Sequence, residues 1–251
     1  MNYFKRYLFQ NFNLKKIQRE IFNNKPIILD HIAHRTFKND NIASDYLKNY
    51  KIFHIENDVY NFPNYNVEAM WLNINGDKFN NSYSNSINEF NDKIKGTPRI
   101  FISTYKGVET DINLKNSDLD LNEINMHINN KQELMSYELY KNIFDKNQYL
   151  AWTLLFRNRI NHIAIEVDDI YDIYEKTKKI LEINNPELPI QVSEDGDLLQ
   201  FSTKSGLYPC KFKEGYYEIP RNFVEFVERK NNREGFSEKN ANIVFQSTTL
   251  H

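Results

Sequence analysis

One cysteine, Cys210, stands in a chain of 251 residues, so neither an intramolecular disulfide nor a thiolate-based zinc site can form within it. There is also no excess of charge. The 32 Lys and Arg against 34 Asp and Glu leave a net −2, without the basic surplus that a general nucleic-acid binder needs to displace counterions. No apolar run approaches the roughly 20 residues that cross a bilayer. The opening MNYFKRYLFQ is interrupted by Lys5, Arg6 and Gln10, which makes a poor signal peptide. A soluble cytoplasmic protein with no membrane or nucleic-acid partner is the expectation. Glycine is scarce at 7 residues, and no Gly-rich phosphate loop or GxSxG elbow occurs. Cys210 follows Pro209 with no histidine near it in sequence, a weak basis for thiol catalysis.

What is present suffices for a packed globule. Apolar residues make up 40% and aromatic residues 14%, well above the levels of disordered chains. Asn and Lys are enriched in every segment alike, which reads as a bias of the coding genome. Apolar spacing over 3–23 suits one amphipathic helix or two short ones, ended by Asn23-Asn24-Lys25-Pro26. Strand patterns follow at 27–37, 51–60, 67–74 and 99–105, with a short helix expected over 41–49. Residues 107–147 are strongly polar and helical or irregular, and 151–156 lead into a strand at 160–167. A helix over 170–181, opened by Asp168 or Asp169, precedes strands at 191–192 and 198–203 around the turn Glu194-Asp195-Gly196-Asp197. A last strand runs over 223–229.

This order repeats. Strand, helix and three strands occur over 27–105 and again over 160–229. The first strands share letters at matching positions, Asp30-His31-Ile32-Ala33 against Asn161-His162-Ile163-Ala164. Two βαβββ modules facing each other predict an α+β fold with a curved mixed sheet around a central cleft. One domain of 1–251 then divides into N-terminal helices (1–26), a first module (27–105), a polar insertion (106–158), and a second module with a C-terminal tail (159–251).

Side chains alternate across a strand, so His31, Ala33 and Arg35 share one face, and His162, Ala164 and Glu166 share another. If the two modules are related by symmetry, His31 and His162 point into one cleft, half of a metal site. Glu225 sits in the apolar strand 222–229 and needs a partner there: a metal, or an arginine such as Arg35 or Arg221. Glu166 is a weaker alternative ligand. Two His and one carboxylate, with other positions open, are the facial triad of non-haem Fe(II) oxygenases. A strand histidine is more often a hydrogen-bonded core residue than a ligand. His34, His54, His127 and His251 gain nothing from the repeat and are read as structural or surface residues.

Six strings stand in order: Asp30-His31-Ile32-Ala33-His34-Arg35-Thr36-Phe37, Pro98-Arg99-Ile100-Phe101-Ile102-Ser103, Asn158-Arg159-Ile160-Asn161-His162, Val224-Glu225-Phe226-Val227-Glu228-Arg229, Arg233-Glu234-Gly235-Phe236 and Phe245-Gln246-Ser247-Thr248. Together they resemble the 2-oxoadipate dioxygenase/decarboxylase family of the vicinal oxygen chelate superfamily. The resemblance implies Fe(II) ligands His31, His162 and Glu225, and a substrate-binding arginine at Arg35. It implies a small-molecule 2-oxo acid substrate with O2 as co-substrate. The implied reaction is oxidative decarboxylation of 2-oxoadipate and hydroxylation to 2-hydroxyglutarate plus CO2, in lysine breakdown. Two departures stand out: the chain is shorter than characterised bacterial members, and Gln246 replaces a usual Glu. The alternatives on this fold are a glyoxalase-like metal-dependent isomerase, lyase or hydrolase, and a non-catalytic binding protein. Oligomeric state is not written in the sequence.

Overall fold

The computed structural model describes residues 14–38, 40, 42, 53–61, 65–73, 94–95, 99–130, 132–182, 192–203 and 205–232. The expected helix at 41–49, the tail with Gln246, and the side chains of His54 and His251 lie outside the described set. The elements in chain order are α1 (Leu14–Glu20), β1 (Ile27–Phe37), β2 (Phe53–Asn61), β3 (Asn66–Asn73), β4 (Ile94–Lys95) and β5 (Arg99–Tyr105). Helices α2 (Ile112–Lys115), α3 (Leu121–Asn129), α4 (Tyr137–Lys146) and α5 (Gln148–Phe156) follow. Then come β6 (Ile160–Glu166), α6 (Ile170–Glu182), β7 (Ser193–Asp195), β8 (Leu198–Ser202), β9 (Gly206–Lys211) and β10 (Tyr216–Arg229).

The sheet order is β2-β3-β5-β1-β6-β10-β8-β7, with β4 beside β1 and β9 beside β10. Outward from the centre, both halves read alike. In each, the first strand is parallel to the last, and the middle two form an antiparallel hairpin against the last. The α+β class and a mixed sheet of two matching halves are therefore as the sequence predicts, while the helix expected in the first half lies outside the described residues. The halves join through antiparallel β1–β6 pairing, in which Ile32 faces Ile163, His31 faces Ala164, and Ala33 faces His162. That crosswise match is a local two-fold axis through the two isoleucines.

Local signals explain most element boundaries. Asp169 caps α6, its Oδ1 accepting from the backbone N–H of Tyr171 and Asp172. Gly196 turns the β7–β8 hairpin with φ of 59°, a conformation that side chains resist. Three expectations differ from the structure, the first being that the strand before Gly196 runs over Ser193–Asp195 rather than 191–192, so that Glu194 and Asp195 pair with β8 instead of forming the turn. Residues 148–156 form a helix where 151–156 read as the approach to a strand. A short apolar run does not distinguish the two. Asn147 decides it by capping Leu150, and α5 is then buried nearly all round. The last strand begins at Tyr216 rather than 223 and pairs with β9, which the sequence reading omits. Pro209 and Pro220 mask that hairpin, because proline argues against a strand except at edges.

The insertion is not merely polar. Its helices bury Leu114, Ile124, Ile143, Leu150 and Trp152 against Ala33, Val67, Trp71 and Phe101 from the concave face of the first half. Most of its polar residues face solvent or cap helices, while Thr153 and His127 are buried. Ile17, Ile21, Ile170 and Ile173 cover the convex face of the second half instead. Cys210 is buried in the first of these clusters, and burial pushes its thiol up to about 12, which removes the nucleophile that thiol catalysis needs.

Asp111 fastens the insertion to the sheet. It is fully buried, it caps α2 through Leu114 N–H at 3.0 Å, and it accepts from Tyr105 Oη at 3.0 Å and Asn147 Nδ2 at 2.5 Å. Asn147 in turn caps α5, so one carboxylate links β5 to the starts of two helices. Asp111→Ala leaves buried donors without an acceptor and should cost about 2–4 kcal/mol in urea unfolding. A loss below about 0.5 kcal/mol, the scale of an ordinary surface change, would refute this fastening role.

Candidate metal centre

His31 comes from β1, His162 from β6 and Glu225 from β10, and the two-fold brings the histidines together. Their Nε2 atoms are 3.1 Å apart, and Glu225 Oε2 lies 3.5 Å from His31 Nε2 and 3.3 Å from His162 Nε2. All three residues are buried, and no hydrogen-bond donor meets either Glu225 oxygen among the described residues. Donors bound at ~2.1 Å to one ion lie roughly 3.0–3.4 Å from each other, so these separations suit a shared cation. Burial pushes the Glu225 carboxyl up to about 7 and both imidazoles down, so an ion-free centre has the uncompensated character of a ligand set.

A strand does not normally let neighbouring residues reach the same face. Here β1 and β6 each carry a register shift at the residue before the histidine: Asp30 is skipped between Leu29 and His31, and Asn161 is skipped opposite Ala33 and His34. Bulges of this kind re-aim side chains. Asp30 Oδ1 then accepts from His31 Nδ1 at 2.7 Å, and Asn161 Oδ1 accepts from His162 Nδ1 at 2.9 Å. With each Nδ1 carrying the proton, both Nε2 lone pairs face Glu225.

Arg229 closes on Asp30 through Nε at 2.5 Å and Nη2 at 3.0 Å. The Arg229 and His31 hydrogen bonds outweigh the cost of burial and hold the Asp30 carboxyl far below the usual carboxylate range. The modules are not copies in chemistry. Glu225 pairs with Ala164, whereas the matching partner of Ala33 is Phe101. Trp71 packs on Phe101 at 4.6 Å, giving the side opposite Glu225 an aromatic wall. Phe223 stacks on His162 at 4.7 Å.

Arg35 is buried on the same side, its guanidinium 4.7 Å from the Tyr149 ring and 5.5 Å from the Trp152 ring, both from α5. Burial pushes it down to about 10, still cationic at neutral pH. Its charge helps depress the His162 imidazole after burial has done most of that work, which places Arg35 within electrostatic reach of the triad. Tyr149 also donates to Ser103 at 2.8 Å, so the aromatic shelf is itself tethered to β5.

The sequence reading thus meets one cluster: His31, His162 and Glu225 converge, with Arg35 beside them. Neither arginine offered as an ion partner for Glu225 takes that role; its polar neighbours are the two neutral imidazoles, and Arg221 stacks on Tyr208 at 4.2 Å. Glu166 lies half-buried near Asp30 and Arg229, outside the cluster of potential ligands. His34 is buried and held down to about 4 by that burial, and His127 lies on α3. Sequence reasoning passed over Asp30, Asn161, Arg229 and the α5 aromatics. The paired Asx-His strings carried the signal for the first two, but only the bulges turn those side chains toward the imidazoles.

Residues 109–232 match the model of a family described as 2-oxoadipate dioxygenase/decarboxylase. Over 134 residues the chain is 28% identical to the chloroplastic 2-oxoadipate dioxygenase/decarboxylase of Arabidopsis thaliana, an alignment of 43% of this chain and 36% of that protein. The match therefore spans about a third of the curated relative. Among solved structures, the hydroxyglutarate synthase of Oryza sativa in complex with 2-oxoadipate superposes with a TM-score of 0.68 at 24% identity, covering 99% of this chain and 90% of that one. A putative hydrolase from Shewanella frigidimarina gives 0.61 at 19% identity, covering 94% and 95%. A putative glyoxalase superfamily protein from Ralstonia eutropha gives 0.53 at 15%, covering 82% and 73%. These likenesses establish a shared fold. Among the described residues, no helix is long and apolar enough to cross a membrane.

Because Glu225 buries a carboxylate with no donor, Glu225→Gln should raise the stability of the metal-free protein at pH 8 by about 1–2 kcal/mol, roughly 2–6 °C in Tm. The same variant should no longer retain a divalent ion in equilibrium dialysis. A lower Tm in the metal-free state would contradict the unsatisfied carboxylate.

Proposed function

We propose that this chain, a relative of the 2-oxoadipate dioxygenase/decarboxylase family, is an Fe(II)-dependent dioxygenase that decarboxylates and hydroxylates a 2-oxo dicarboxylic acid, most simply 2-oxoadipate. The observation that carries this reading is the convergence of His31 Nε2, His162 Nε2 and Glu225 Oε2, three buried donors in mutual reach with Arg35 beside them. His31, His162 and Glu225 would hold the metal. Two neutral nitrogens and one carboxylate suit Fe(II) with open positions. When bound, the ion would supply a Lewis acid for the anionic oxo acid and a redox centre for O2.

The chain's own residues do the rest. Arg35 binds the distal carboxylate. Its Cα lies about 13 Å along β1 from that of His31, a span filled by an arginine reaching back and an extended six-carbon dianion. The Tyr149 and Trp152 rings hold the guanidinium in place, so little side-chain entropy is lost on binding. Phe101 stands where the pseudo-symmetric mate of Glu225 would be, offering no fourth protein ligand and leaving that side for substrate and O2. Trp71, Phe101 and Phe223 exclude water from the reacting atoms. Asp30 and Asn161 keep both imidazoles in the metal-facing tautomer. No second oxo acid is required, because the keto group belongs to the substrate. The product is the hydroxy acid one carbon shorter plus CO2, which for 2-oxoadipate is 2-hydroxyglutarate and places the reaction in lysine breakdown.

Protein loaded anaerobically with Fe(II) should consume O2 with 2-oxoadipate and release CO2 in equal amounts, measured by oxygen electrode and CO2 trapping. His31→Ala, His162→Ala and Glu225→Ala should each lose bound iron and activity. No O2 uptake with any 2-oxo acid of four to eight carbons would sink the reading, and turnover without O2 on Ni(II) or Zn(II) would replace it with glyoxalase-like chemistry. Arg35→Met should keep iron and lose roughly 100-fold in kcat/KM for the dicarboxylate, the scale of one charge-assisted contact. A monocarboxylate of equal length should be affected much less, and equal losses on both would refute a carboxylate anchor.

A further inference from the structure

The two histidines are held by their chain neighbours in the same way but with different charge. Asp30 at His31 is a carboxylate locked to Arg229 by two hydrogen bonds, and both groups are largely withdrawn from solvent. Asn161 at His162 is a neutral amide, and its Nδ2 meets no acceptor among the described residues. An aspartate there would carry no such orphan donor. The amide is therefore the costlier choice for local hydrogen bonding.

The topology shows why the carboxylate is confined to one side. The register that matches Glu225 with Phe101 also matches Arg229 with Tyr105, four residues further along each strand. Tyr105 is uncharged and already donates to Asp111. A carboxylate at position 161 would thus have no arginine in the place that Arg229 takes for Asp30. With Fe(II) and Glu225, the centre carries +1, and the Asp30–Arg229 pair adds nothing. A second, uncompensated carboxylate would bring the centre to zero and remove its attraction for an anionic oxo acid.

We infer that Asp30 and Arg229 are positioning residues that make His31 the stronger metal donor, while neutral Asn161 at His162 keeps the centre cationic for its anionic substrate. This rests on the metal reading above. A carboxylate behind an imidazole fixes its tautomer and raises its basicity as a ligand, whereas an amide fixes the tautomer alone. Arg229 prevents the Asp30 carboxylate from turning away from His31 and cancels its charge.

The test uses the full chain loaded with Co(II), which needs no turnover. The measurements are Co(II) affinity by chelator competition, the visible d–d spectrum, and 2-oxoadipate affinity of the Co(II) protein under nitrogen. Asp30→Asn should weaken Co(II) roughly 10–100-fold and shift the d–d bands. Arg229→Gln should weaken it in the same direction, and Arg229→Lys should restore it. If Asp30→Asn folds poorly because Arg229 is left charged, the double variant Asp30→Asn/Arg229→Gln removes both charges and should show the same spectral shift. Asn161→Asp should bind Co(II) more tightly and 2-oxoadipate at least tenfold more weakly. Parental Co(II) affinity and spectrum in Asp30→Asn or the double variant, with only Tm lowered, would overturn the inference and leave the metal reading standing. Unchanged 2-oxoadipate affinity in Asn161→Asp would overturn its second half. Failure of the parent chain to bind Co(II) would overturn both readings together.

Discussion

The antiparallel pairing of β1 with β6 is the joint on which the site depends. Ile32 opposite Ile163 fixes the two-fold, and that register alone sets His31 and His162 diagonally across one face. A slip of one residue would send one imidazole to the convex side, because strand side chains alternate. The isoleucines oppose such a slip, since Ile32 packs with the convex clusters and Ile163 is buried within one. Apolar packing behind the sheet therefore holds polar chemistry in front of it.

Two bulges refine that joint. Without them Asp30 and Asn161 would point away from the imidazoles they orient. The bulges stand just before each histidine in both strands, and the two modules differ in the chemistry that surrounds them. Glu225 faces Phe101 across the two-fold, Asp30 faces Asn161, and Arg229 faces Tyr105. Symmetry supplies the convergence of two imidazoles. In the proposed reading, departure from symmetry would supply the open side, the charge of the centre and the binding direction. A fully symmetric site with four protein ligands would leave less room for a chelating acid and O2.

The helical insertion supplies the remaining wall. Asp111 ties its first and last helices to β5, and α5 lays Tyr149 and Trp152 under Arg35. A guanidinium kept on aromatic faces retains its charge in a place where free water is scarce. The fold is held in common with the hydroxyglutarate synthase of Oryza sativa, while the part matched by the family model, 109–232, takes in the helices of the insertion, His162 and Glu225.

Much of this was written in the chain itself. The repeat, the α+β class and the pairing of His31 with His162 follow from letters at matching positions, because strand periodicity fixes which side chains share a face. Glu225 stands out because an acid inside Phe223-Val224-Glu225-Phe226-Val227 must meet a counter-charge once buried. Only the tertiary structure decided which groups surround the acid, the His31 and His162 imidazoles. Arg35 and Arg221 were equal candidates by sequence, yet both lie on aromatic rings, and Arg229 crosses β6 to reach Asp30. The bulges, the helix in 148–156 and the hairpin hidden by Pro209 and Pro220 were likewise decided in three dimensions. Local sequence sets the period of a strand or helix, but a bulge or a charge pairing depends on energies that exist only when distant strands meet.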